Sequence, residues 1–253
     1  MKLFPLYLLC LLAVSISSSA QGILDKVNTL INSDKKSSVT EKISPAGSQT
    51  KNLSQDDIIN GLKEALSIGT TNSAKKLGSA DGFFKDAAIK ILMPEEAVKA
   101  EATLRQFGMG SLVDKAILSM NRAAEDAATG SGEIFLTAIK KMTVTDGLKI
   151  LQGGDFAATN YLKQATSASL AEKMRPVIET SLNKVNATTY WKEVFTNYNK
   201  FATKKVNPDL VAYVTSKAMD GIFYSIGQEE QKIRKDPAAQ VTGLLKKVFG
   251  TTK

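Results

Sequence analysis

Four polar side chains stand close together in one helical stretch: Asn121, Arg122, Glu125 and Asp126. Asn121 and Glu125 are one turn apart, as are Arg122 and Asp126, so each pair is expected to share a face. The alanines among them, Ala123 and Ala124, let a second helix approach closely and bury the group. An amide, a guanidinium and two carboxylates held together in that way can bind a ligand or orient a partner, and these four are the candidate ligand-binding residues. The simpler alternative is an intrahelical ion pair beside an Asn–helix contact, each worth about a few tenths of a kcal/mol.

Catalysis has little else to draw on. The chain has no histidine and one cysteine, Cys10. Ser-His-Asp and Cys-His nucleophiles are thereby excluded, together with the commonest transition-metal ligand. Two carboxylates about 5–10 Å apart across a cleft can still hydrolyse a glycosidic bond without histidine. The acids to consider are Glu125, Asp126, Asp146 and Asp155. Thr143-Val144-Thr145-Asp146 has the form of a capping box, which explains it better than an anion site does. Gly153-Gly154-Asp155 lacks the lysine-serine ending and the preceding strand of a phosphate loop, and is expected to form a tight left-handed turn. Asp81-Gly82 lacks the regularly spaced acids of a calcium loop. No catalytic residue, cofactor or metal is implied.

The 33 Lys and Arg against 25 Asp and Glu give a net charge of +8. No run exceeds two adjacent cations, and few aromatics sit among them, which excludes a nucleic-acid partner and favours a solvated basic surface. The first twenty residues hold one cation, Lys2, an apolar run to Val14 and the small residues Ser18-Ser19-Ala20. That order predicts a secretory signal cleaved after Ala20. Its apolar run of about a dozen residues is short of the ~20 that cross a bilayer. Cys10 would leave with it, so the mature chain would have no thiol.

The elements that must position the polar group read as helices almost throughout. Gly22–Ile31 has helical apolar spacing and is followed by a polar linker to residue 53. Ser54-Gln55-Asp56-Asp57 caps a helix that runs towards Leu77 and stops at Gly78. Phe83–Leu92 is ambiguous between helix and strand. Pro94 opens a helix to Phe107 with a stop at Gly108; others span Ser111–Ala128 and Glu133–Met142, and run from the Thr143 cap to Leu151. Asp155–Ala165 and Ser167–Val185 read as two helices, with Pro176 expected to kink or divide the second. Thr188–Ala202 carries Tyr190, Trp191, Phe195 and Tyr198, which read as core, or as a groove or membrane edge. Asn207-Pro208-Asp209 reads as cap, first-turn proline and acid for a helix to Arg234, and Asp236-Pro237 precedes a last helix. The last one pairs Leu244, Leu245 and Val248 with Lys246 and Lys247, a weak signal for peripheral membrane contact. The expected fold is all-α, a single bundle-like domain over 54–250 with roughly ten helices and little or no sheet.

An ordered set of motifs adds a resemblance. It comprises Asn121-Arg122-Ala123-Ala124-Glu125, Ile134-Phe135, Ala138-Ile139, Met142-Thr143-Val144-Thr145-Asp146-Gly147, Ile150-Leu151-Gln152-Gly153, Ala157-Ala158-Thr159-Asn160-Tyr161 and Thr166. Upstream stand Gly61-Leu62-Lys63-Glu64-Ala65-Leu66 and Ile91-Leu92-Met93-Pro94. Over about Ser54–Phe249 the chain resembles the exported bacterial proteins grouped as DUF4197. The resemblance implies an α-helical, envelope-associated protein and brings no activity or site residue. The expected function is non-enzymatic binding in the periplasm or cell envelope, of an envelope protein or of an apolar or anionic ligand. The alternative is a carboxylate-dependent hydrolase acting on envelope glycans.

Overall fold

A computed structural model describes residues 54–200, 203 and 205–235. The expected signal segment, the expected helix over Gly22–Ile31, the expected linker and the expected helix after Pro237 lie outside the described residues. Eight α-helices are described, with no strand among the described residues: α1 Gln55–Leu77, α2 Val98–Gln106, α3 Gly110–Ala128, α4 Ser131–Lys141, α5 Val144–Gln152, α6 Ala157–Asn183, α7 Ala187–Tyr198 and α8 Leu210–Lys235. The expected all-α class holds.

Local chemistry sets the two clearest starts. Ser54 Oγ accepts from the Asp57 N–H at 3.1 Å while the Asp57 carboxylate accepts from the Ser54 N–H at 3.2 Å. Thr143 and Asp146 repeat the arrangement at 3.1 and 3.0 Å, opening α5. Each box satisfies donors that a helix start leaves free. The long α6 and α8 pack together at the centre; α3 and α4 lie against α6, and α1 packs on α4, α5 and α8.

Four expectations are corrected. First, Asp155–Ala165 and Ser167–Val185 are one helix, α6. Its buried residues Leu162, Thr166, Leu170, Met174, Ile178 and Leu182 recur every fourth position. A four-residue repeat drifts by about 40° per step against 3.6 residues per turn, so the buried stripe winds around the helix. That drift, with a polar Thr166 in the stripe, imitates a boundary. Thr166 is satisfied inside the helix by donating to the Leu162 carbonyl at 2.6 Å. Pro176 sits on the exposed side, where water can serve the carbonyl it frees, and does not divide the helix.

Second, Phe83–Leu92 is neither helix nor strand but a series of turns leading to an irregular run at 90–94. Phe83, Ile89 and Ile91 are buried at even spacings that would suit a strand, but the N–H groups of Lys85, Asp86, Ile89 and Lys90 close turns between them. Third, the cap of α8 is Asp209, whose Oδ1 accepts from the Ala212 N–H at 2.9 Å. Asn207 instead accepts from the Asp209 N–H at 2.9 Å, which places Pro208 before the cap. Fourth, Gly153 has φ −78° and ψ 169°, so the turn there is not left-handed. Its glycine serves close approach: a Cβ would lie 2.4 Å from the Ala157 Cβ.

Pro94 leads first into a 3-10 turn, Glu95–Ala97, which continues into α2. α2 has no buried residue and joins α3 through Gly108 at φ 77°. Residues 78–97 form the connector between α1 and α2, and the polar group of α3 faces it.

Candidate functional site

Asn121 is fully buried on α3. Its Oδ1 accepts from the Ile91 N–H at 2.9 Å, and its Nδ2 donates to the Ile91 carbonyl at 2.8 Å and to the Ile117 carbonyl at 2.7 Å. The side-chain amide thus plays the part of a neighbouring strand, and an irregular segment can lie against the core without leaving its peptide groups unpaired.

One turn on, Glu125 is also buried. Its Oε1 accepts from the N–H groups of Phe83 and Phe84 at 3.0 and 3.1 Å, and its Oε2 accepts from Arg122 Nη1 at 2.6 Å. Arg122 Nη2 continues to Asp81 Oδ1 at 2.7 Å, and Lys85 meets the other Asp81 oxygen at 2.8 Å. Asp81 stands at φ 67°. Lys85 first, then Arg122, hold its carboxyl below the usual carboxylate range. The Phe84 ring faces Lys90 Nζ at 4.0 Å and the Arg122 guanidinium at 5.8 Å.

The expected pairing on α3 is therefore corrected. Arg122 pairs with Glu125 and Asp81, not with Asp126, because its guanidinium turns towards the connector. Asp126 is exposed and accepts from the Ser181 hydroxyl of α6. Three of the four candidate residues converge on the connector and the fourth leaves the group. Asp146 stays in its capping box, and Asp155 meets Lys235 at 3.1 Å. None of Glu125, Asp126, Asp146 and Asp155 lines the cleft between residues 88–96 and α8 or the trough between α6 and α8.

The larger cleft, 740 Å³, lies between connector residues 88–96 and one face of α8. Tyr213, Lys217, Gly221 and Tyr224 stand on successive turns of that face. A Cβ at Gly221 would come within 2.5 Å of the Phe83 ring, so glycine lets the connector lie this close to α8. The Tyr213 hydroxyl donates to the Leu92 carbonyl at 2.8 Å and ties the two walls together. Burial, aided by the negative charge of Glu96, pushes the Tyr213 phenol up to about 12.

Six charged side chains line this cleft: Lys90, Lys205, Lys217, Glu95, Glu96 and Asp220. None forms an ion pair among the described residues. The backbone N–H groups of Leu92 and Met93 also have no partner among the described residues. A smaller trough of 320 Å³ lies between α6 and α8, with Lys163, Arg175, Met219 and Phe223 in its lining, and Asp220 borders both clefts.

Sequence reasoning missed a second buried carboxylate. Glu230 on α8 accepts from the Ala158 and Thr159 N–H groups at 3.0 and 2.8 Å and from the Thr159 hydroxyl at 2.7 Å. Arg234 pairs with it at 2.8 Å and donates to the Ile150 carbonyl at 3.0 Å. The only sequence sign is the Glu–Arg spacing of one turn, which many exposed helices share. Tyr213 had no sign at all. Of the aromatic group, Trp191 and Phe195 are core, with ring centroids 4.4 Å apart, and Tyr190 is exposed. The Tyr198 side chain lies outside the described residues.

No helix among the described residues is long and apolar enough to cross a membrane, and no group of three His, Cys, Asp or Glu residues there is placed to hold a metal. The model of a protein family of unknown function, DUF4197, matches residues 52–250. No curated protein and no solved structure matches the sequence.

Proposed function

We propose that this chain, which belongs to the DUF4197 family, is an exported, non-enzymatic binding protein of the bacterial cell envelope that takes its ligand in the cleft between the connector and α8. The observation that carries the reading is the set of unpaired charges on the cleft walls. Elsewhere the charges that matter to the fold find partners, as Arg122, Arg175 and Arg234 do. A concave site with several convergent polar groups left without partners is the ordinary form of a ligand site. In this reading Asn121, Arg122 and Glu125 are positioning residues. They fix the connector that forms one wall and do not touch the ligand.

Export is supported by the three-part N-terminal segment and by the family resemblance. The non-enzymatic part is supported by the absence of histidine from the sequence and by the separate structural partners of the four acids considered for hydrolysis. Native mass spectrometry of the mature chain, purified gently from its own host's envelope, tests the reading. A reproducible added mass is expected that disappears on denaturation and in a Lys90→Glu, Lys217→Glu double variant. The same adduct in that variant would move the site elsewhere. Turnover of an ester, glycan or peptide substrate by the purified chain would overturn the non-enzymatic reading. The mature N-terminus is expected to be Gln21.

A further inference from the structure

We infer that the cleft takes an extended peptide segment of about five residues carrying both positive and negative side chains, an inference that rests on the cleft being the binding site. The α8 wall from Tyr213 to Tyr224 rises by about 16 Å. At about 3.3 Å per residue that length accommodates about five residues of extended chain.

The walls match the parts of such a segment. Lys90, Lys205 and Lys217 suit carboxylates, and Glu95, Glu96 and Asp220 suit ammonium or guanidinium groups. Leu92, 55% exposed, and the ring of Tyr224, 46% exposed, offer apolar surface between the charges. The Leu92 N–H, without a partner among the described residues, offers a main-chain donor to a peptide carbonyl on the side where Tyr213 meets the Leu92 carbonyl. The connector cannot recoil from such a partner. Asn121 holds Ile91 on one side and Tyr213 holds the Leu92 carbonyl on the other.

Other ligand classes fit less well. A phosphate or a fatty acid would meet the lysines but also three carboxylates with no counter-charge. A neutral apolar ligand would bury six charges that have no partner to neutralise them, at high desolvation cost. A segment with charges of both signs neutralises both sets at once.

The test uses the full mature chain, labelled with nitrogen-15, and four probes: a pool of pentapeptides with one Lys and one Glu among apolar residues, the same pool N-methylated along its backbone, inorganic phosphate, and dodecanoate. The charged pool is expected to move the amide resonances of Leu92, Met93 and the Tyr213–Tyr224 face. N-methylation is expected to weaken binding by at least about tenfold, because the added methyl groups hold the peptide backbone too far from the connector for its carbonyls to accept from the Leu92 N–H. The Lys90→Glu, Lys217→Glu variant is expected to weaken the charged pool by a similar factor and to retain the free protein's helical spectrum.

Equal binding of the N-methylated pool would overturn the extended pairing. Movement of the cleft resonances by dodecanoate or phosphate, and not by the charged pool, would overturn the peptide class and leave the cleft as the site. Silence from all four probes, with a native adduct that still depends on Lys90 and Lys217, would do the same. An adduct indifferent to those lysines would remove the cleft reading itself.

Discussion

Glu125 and Glu230 are built alike and serve different ends. Each is a buried carboxylate on the inward side of a helix, accepts two backbone N–H groups from a distant segment, and pairs with an arginine one turn away. Glu230 meets the start of α6, whose free N–H groups and positive dipole end already favour an anion. Its arginine has a side chain only 16% exposed and reaches the last turn of α5, so the pair seals a joint between two helix ends. Glu125 meets a segment with no regular structure. Its arginine, 41% exposed, runs outward to Asp81 and the solvent. Glu230 completes a helix start, and Glu125 holds a segment that has no helix. The contrast teaches that the same ion pair locks the scaffold where it is dry and pins an irregular segment where one side stays wet.

The largest effect should come from the dry member. Glu230→Ala leaves Arg234 buried without its acid and the first N–H groups of α6 without an acceptor. Denaturant unfolding should show a global loss of about 3–5 kcal/mol. Glu125→Ala should cost less, about 2–3 kcal/mol, because Arg122 retains Asp81 and water. Hydrogen exchange separates the two: Glu125→Ala should speed exchange chiefly at residues 83–97, whereas Glu230→Ala should speed it throughout α5, α6 and α8. Equal, uniform losses in both variants would break the comparison.

Asn121→Leu comes next. It keeps the volume and leaves the Ile91 N–H and carbonyl unpaired in the core, at a cost of about 2 kcal/mol. It should also weaken whatever the cleft binds, a loss that Asp126→Asn, outside the converging group, should not cause. If both variants bind alike, the connector is not positioned by α3.

The smallest effects are in pH. The Tyr213 phenol is raised to about 12 in the folded protein. Its contribution to stability is therefore fully present below the ordinary tyrosine value of about 10 and is lost as pH rises through about 12. Ultraviolet titration should show a tyrosine near 12 that Tyr213→Phe removes, while Tyr161, which burial also raises, stays late in that variant. On the acid side, Arg175 holds the Asp209 carboxyl below its usual range. Its contribution is present above about 4 and is lost as pH falls through the lowered folded value, so Asp209→Asn should flatten acid unfolding slightly.

What the sequence determined by itself is the set of features made by residues three or four apart. The all-α class, the boxes Ser54–Asp57 and Thr143–Asp146, the stops at Gly78 and Gly108, and the core faces of α1 and α3 are short-range matters of periodicity and capping. It also brought Asn121, Arg122 and Glu125 to notice, because polar groups beside close-packing alanines need a reason. Only the tertiary structure decided what they hold. Asn121 meets Ile91 across 30 residues, Glu125 meets Phe83 across 42 and Glu230 meets Ala158 across 72. No local pattern encodes such a partner, since its N–H is a backbone group that every residue but proline has. The same reason hid the turns of Phe83–Leu92. The segment's short turns close on local carbonyls, while the N–H groups of Phe83, Phe84 and Ile91 go to distant side chains, and the cleft exists only where that segment is held against α8.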